Sequence, residues 1–147
     1  MILIAHRGNT AGINPERENT VAYINEALEK GYHCEIDICK WDNDLGKFYL
    51  GHDEPTEVVD REWLKDNNLW CHAKSYNALE AMMAMGIHCF FHKGDDYTLT
   101  SNGWIWAYPG MPGGVKTIAV HPEKLNPEEV KKFAGICGDN IEKYKND

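Results

Sequence analysis

Two acidic residues interrupt an otherwise strand-like run in "CEIDICKWDNDLGKFYLGHDEP", residues 34–55. In extended chain the side chains alternate, so Glu35 and Asp37 project together while Cys34, Ile36 and Ile38 suit a packed opposite face. Two carboxylates held side by side repel each other unless they stay in water, share a proton or meet a cation. A solvated edge strand would satisfy the first condition. Residues elsewhere in the chain favour the last. His6-Arg7 closes the apolar run "MILIA", His72-x-Lys74 repeats the two-residue spacing in "LWCHAK", and the chain after Asp37 leads to His52-Asp53. His92, His121 and Asp139 also stand at the ends of strand-like runs. One histidine at a strand end is ordinary; the same placement repeated along the chain reads as a site.

The residue types suit one chemistry. Glu35 and Asp37 offer hard oxygen ligands to Mg²⁺ or Ca²⁺. Arg7 can grip phosphate oxygens as a planar fork and Lys74 as a point charge. His6 and His52 titrate near neutrality and can serve as general base and general acid. A metal-binding carboxylate pair, two cations and two histidines make a phosphodiester-cleaving set.

Regular elements must hold these groups. "MILIAHRG" predicts a buried strand ending at His6, and "NTVAYINEALEKG" a helix capped at Asn19 or Thr20 and ended by Gly31. A strand at 33–39 follows, then a hairpin-like excursion and a short helix around Arg61–Lys65. "LWCHAK" is a third strand, Ser75 caps a helix that stops at Gly86, and "IHCFFHKG" is a fourth strand. "YTLTS", "GWIWAYPG" and "KTIAVHPE" are further strand-like pieces joined by short loops. "NPEEVKKF" is a capped helix, "AGICGD" an eighth strand and "NIEKYKND" a polar tail. Strand–helix alternation predicts parallel β/α units, and eight strands suggest a reduced (β/α)8 TIM-type barrel with several helices missing in its second half. An irregular open sheet is the alternative. In a barrel the ionisable strand ends would share the face that carries active sites.

The 147 residues carry no repeat or linker and read as one domain, 1–147. A net charge of −8 argues against a nucleic-acid binder working through bulk electrostatics, so an anionic substrate needs specific cations. The five cysteines form no CxxC pair; Cys34, Cys71 and Cys89 read as small buried hydrophobes, which suits a reducing, cytoplasmic compartment. The N-terminal apolar run is too short for a signal peptide or a membrane span.

"AHRG" at 5–8, "PERENT" at 15–20, "EID" at 35–37 and "GHDE" at 51–54 resemble, in order, the motifs of the glycerophosphodiester phosphodiesterase family, related to phosphatidylinositol-specific phospholipase C. The likeness covers residues 3–75. It implies a (β/α)8 barrel, His6 and His52 as the acid–base pair, Glu35 and Asp37 as ligands of Mg²⁺ or Ca²⁺, and Arg7 on the phosphate. Glu18 would join the substrate-binding set and orient the site around His6 and Arg7. The family carries a further acidic ligand two residues before a lysine; here Lys74 is in place but His72 stands where the acid belongs. As a ligand, His72 would favour Mn²⁺ or Zn²⁺.

Trp104, Trp106 and Tyr108 alternate along one face, and Trp106 and Tyr108 join the substrate-binding set as pocket walls. Core packing explains them equally well. His33 and His88 read as structural, Asp95-Asp96 as solvated and the Met82–Met83 pair as core. The chain is thus expected to hydrolyse a small glycerophosphodiester-like substrate; the rival is a module that binds phosphate or sugar phosphate without turnover. A strand face left bare by a missing helix could also be covered in a homo-oligomer.

Overall fold

The apolar run at residues 2–6 pairs with strands from both halves of the chain, and this pairing gathers the site. A computed structural model describes residues 1–146; residue 147, the end of the expected polar tail, lies outside the described residues. In chain order the elements are β1 (Ile2–His6), α1 (Val21–Glu29), β2 (His33–Asp42), β3 (Lys47–Leu50), β4 (Glu57–Val59), α2 (Arg61–Leu64), β5 (Leu69–Ala73), α3 (Tyr76–Ala84), β6 (Cys89–Phe90), β7 (Tyr97–Leu99), β8 (Ile105–Ala107), β9 (Thr117–Val120), α4 (Pro127–Val130) and β10 (Gly135–Gly138).

Parallel pairing runs β6–β5–β2–β1–β10–β9–β8, while β7 lies antiparallel on β8. The far end of β2 takes a third partner, β3, which carries β4; both pairings are antiparallel. The result is a mixed sheet of ten strands with four short α-helices among the described residues, and it overturns the expected reduced (β/α)8 barrel. The strand–helix rhythm holds only as far as α3. Beyond it, residues 91–96, 100–104 and 108–116 contain no helix. Such short connections lack the ten or more residues, roughly, that a helical crossover needs, so β7 folds back as a hairpin instead. The excursion after β2 likewise becomes two antiparallel strands.

The pleat of β2 sorts its residues as the spacing requires. Cys34, Ile36 and Ile38 are fully buried and belong to a core shared with Ile24 and Ala27 of α1 and Ala78 and Met82 of α3. Thr20 and Ser75 cap these helices with side-chain oxygens that accept from Tyr23 and Ala78 N–H. The opposite face has a separate aromatic cluster built on Ile4, Trp70, Phe90, Trp106, Ile118 and Cys137. It forms an apolar floor beneath the polar strand ends.

Two smaller expectations need correction. Met83 is exposed; successive helical residues diverge by about 100°, so it cannot share the buried face of Met82. The tail is not simply solvated: Ile141 is buried and Glu142 accepts from Thr10 Oγ1 at 2.8 Å. For Trp104 the core-packing alternative holds: it packs toward Trp70 at the floor, away from the cavity that Trp106 and Tyr108 line. The cysteines are free, all but Cys39 buried, and burial pushes the thiols of Cys34, Cys71 and Cys137 up.

His88 is buried against Trp70, with Nε2 2.8 Å from Thr100 Oγ1. Burial lowers its pKa to about 4, against a smaller upward pull from the Leu69 backbone. Between there and the ordinary value of 6.5 the unfolded chain binds a proton that the folded chain refuses. Stability therefore falls as pH drops through that window and stops falling from this cause below it. Urea unfolding across the window should show a steeper loss for wild type than for His88→Gln. Equal slopes would remove His88 from the acid response.

Candidate active site

β1, β2 and β5 lie side by side, with His6 beside Glu35 and Asp37 beside His72 in the register. The parallel order therefore stacks residues 6, 35, 37 and 72 at one end of the sheet, above the aromatic floor. There they line a cavity of about 290 Å³ together with Arg7, His52, Lys74, His92, Lys93, Trp106, Tyr108 and His121. Of the residues expected at the site from the sequence, all face this cavity except Glu18 and Asp139.

Glu35 and Asp37 are nearly inaccessible, at 2% and 1% exposure, so the solvated-edge explanation of the pair fails. Asp37 is clamped. Its N–H donates to Asn19 Oδ1 and its Oδ2 accepts from Asn19 Nδ2, both at 3.0 Å. Arg7 Nε lies 2.9 Å from the same oxygen as an ion pair, although its N–H is not aimed for a hydrogen bond. Glu35 Oε2 is buried without a hydrogen-bond partner. Burial alone would raise the Glu35 pKa, but His72, His6 and Arg7 hold it low; burial and the Glu35 charge raise that of Asp37.

The tautomer of His72 follows from its other partner. Nε2 sits 2.9 Å from the His92 carbonyl, which can only accept, so Nε2 carries the hydrogen. In the neutral ring, Nδ1 then turns a lone pair toward Glu35 Oε1 at 3.6 Å and Asp37 Oδ1 at 3.5 Å. These spacings approach the roughly 3.4 Å edge of a tetrahedron with ~2.1 Å bonds. One ligand atom from each of Glu35, Asp37 and His72 lies within 4.8 Å of the others. With the unpaired Glu35 oxygen and the carbonyl-anchored imidazole, this donor set fits a divalent ion.

His6 is braced from behind. Its Nδ1 lies 2.8 Å from Asp139 Oδ1, which leaves Nε2 toward the cavity, 3.8 Å from Glu35 Oε2. Burial would lower the His6 pKa, but the Asp139 hydrogen bond and the charges of Glu35 and Asp139 outweigh it and raise the value. Asn9 Nδ2 donates to Asp139 Oδ1 at 2.8 Å and to Glu18 Oε1 at 2.7 Å. Glu18 also lies 3.9 Å from Arg7 Nη1. It thus orients the site from outside the cavity and does not line it.

The three non-glycine residues with left-handed φ among the described residues, Arg7, Asn19 and His121, all belong to the site or its clamp. Such conformations persist where surrounding contacts over-determine them, commonly at functional sites. Arg7 is held at both ends: its N–H donates to Glu35 O at 2.8 Å and its carbonyl accepts from Asn19 N–H at 3.2 Å.

His52 enters from the loop after β3, half exposed, with Nδ1 3.0 Å from Asp53 Oδ2. The loop is tied to β2 by Gly51 N–H donating to Asp37 O at 3.0 Å. Gly51 has φ +143°, and an added Cβ would fall 2.0 Å from the Glu54 carbonyl oxygen. Gly51→Ala should cost about 1–3 kcal/mol and shift His52. Thermal unfolding together with turnover would check this; unchanged values for both would mean that the loop adapts freely.

Three contributors escaped sequence reading. Asn19 sits inside "ENT", where its neighbour Thr20 explains the helix cap and hides a second role. Asn9 lies in a polar loop without pattern. Lys93 follows His92 at the end of β6, a position that the strand-end rule could have flagged.

No family model, curated protein or solved structure matches the chain. No helix among the described residues is long and apolar enough to cross a membrane.

Proposed function

We propose that this chain hydrolyses a small phosphodiester, of the glycerophosphodiester type, with the help of a divalent ion. The observation that supports this most is the forced tautomer of His72, which aims a third donor at Glu35 and Asp37 directly beside Arg7 and the Asp139-braced His6. The ordered motif likeness supports it independently. Glu35, Asp37 and His72 would hold the ion, which when bound supplies positive charge against the phosphate. Arg7 and Lys74 hold the non-bridging oxygens, while Trp106 and Tyr108 wall the cavity. His6 Nε2 takes the proton from the nucleophile, a neighbouring substrate hydroxyl or a water, as its oxygen bonds to phosphorus. His52 delivers a proton to the departing alcohol oxygen as the old P–O bond breaks. Buried free thiols support a reducing, cytoplasmic setting.

A second reading is binding without turnover. It draws on His52, whose half-exposed ring and even more exposed partner Asp53 are the least enclosed part of the machinery. Incubation with a glycerophosphodiester and an aryl phosphodiester, with Mg²⁺, Ca²⁺, Mn²⁺ and Zn²⁺ in turn, separates the two. Hydrolysis should occur with at least one ion; no cleavage under any condition would sink the hydrolase reading.

A further inference from the structure

With a divalent ion held by Glu35, Asp37 and His72, the cavity carries more positive charge than a singly charged substrate answers. Three permanent cations, Arg7, Lys74 and Lys93, face two carboxylates in a chain whose net charge is −8. Arg7 is committed to Asp37 at 2.9 Å. Neither Lys74 nor Lys93 has a salt-bridge partner among the described residues, although Asp95 and Asp96 lie close to Lys93 in sequence. Without an ion the three cations exceed the two carboxylates by one charge, which a phosphodiester answers; an ion held by Glu35, Asp37 and His72 answers both carboxylates itself and leaves Lys93 over.

Lys93 is also presented on a tethered segment. The Phe91 carbonyl accepts from Thr98 Oγ1 at 3.0 Å, that of His92 from His72 Nε2 at 2.9 Å, and that of Asp96 from Tyr108 N–H at 2.8 Å. Backbone on both sides of Lys93 is therefore anchored, so this exposed lysine is presented at the cavity rim without ordering a free loop. A cavity of about 290 Å³ lies at the small end of ligand sites, which span about 300–1,000 Å³, so a second charged group would sit close to the first.

We infer that Lys93 recognises a second anionic group, a carboxylate or a phosphate carried on one of the substrate's alcohol parts, so that the substrate is a compact phosphodiester with at least two negative charges. The inference rests on the phosphodiester reading of the same cavity. One charge-assisted hydrogen bond gained or lost here should change affinity by about tenfold or more.

Calorimetric binding and turnover would be measured with three glycerophosphodiesters, whose second alcohol is glycerol, glycolate or glycerol phosphate. Wild type should bind the two charged probes at least about tenfold more tightly than the neutral one, and the tighter of the two identifies carboxylate or phosphate. Lys93→Ala should erase the preference, raising KM for the charged probes with little change in kcat, and Lys93→Arg should keep it. Equal binding of all three probes by wild type, or a preference that survives Lys93→Ala, overturns the inference. Preferential binding without cleavage upholds it while refuting hydrolysis; failure to bind any probe refutes both.

Discussion

Replacing His6 or His52 by alanine should each lower phosphodiester turnover by about 10²–10⁴-fold, the range expected when a general acid or base is removed. The expectation rests on placement. His6 has one nitrogen committed to Asp139 and the other turned to the cavity, while His52 approaches from a separate loop. Two imidazoles from different elements can serve the two ends of an in-line displacement. Neither variant should unfold, since both rings line a cavity and stand apart from the two hydrophobic clusters. Binding should survive in part through Arg7 and Lys74, so the loss should fall mainly on kcat. Steady-state kinetics with circular dichroism as a folding control would check this. Near-normal rates in both variants would mean that other groups move the protons.

The second large effect belongs to His72. Because its Nε2–H is held by the His92 carbonyl, only Nδ1 can reach the carboxylates, and an N,O,O donor set favours Mn²⁺, Zn²⁺ or a similar ion over Ca²⁺. His72→Gln should weaken binding of those ions by more than the roughly 10–100-fold that losing an outer-shell partner costs. His72→Glu should move preference toward Mg²⁺ or Ca²⁺ by supplying a third oxygen ligand. Calorimetric titration of the three proteins with each ion reads this directly, with no substrate present. Unchanged selectivity would show that His72 is not a ligand.

The site was more legible than the fold, for physical reasons. A strand's period of two is strict, so Glu35 with Asp37 and His72 with Lys74 had to share faces whatever the sheet around them. The parallel pairs β1–β2 and β5–β6 could be anticipated because α1 and α3, nine residues each, separate them. The second half lacked that signal. Residues 97–107 form a hairpin whose connection, 100–104, is too short for a helical crossover, a signal that the eight-strand rhythm obscured. The third pairing of β2 was equally hidden, because a strand long enough to serve β1 on one stretch and β3 on another reads as ordinary extended chain. Clamping by Asn19 and Asn9 went unseen because asparagine in a loop has local uses that compete with any long-range one.

The central claim is that this cavity cleaves a phosphodiester and does not merely hold one. Phosphorus NMR of a glycerophosphodiester incubated with wild-type protein and the ion it binds best tests that directly. The account predicts that the diester resonance gives way to a phosphomonoester resonance, with or without a transient cyclic diester, and that His6→Ala leaves it intact. A diester signal that shifts or broadens with wild type, yet never yields monoester, would contradict the account and leave a binding module in its place.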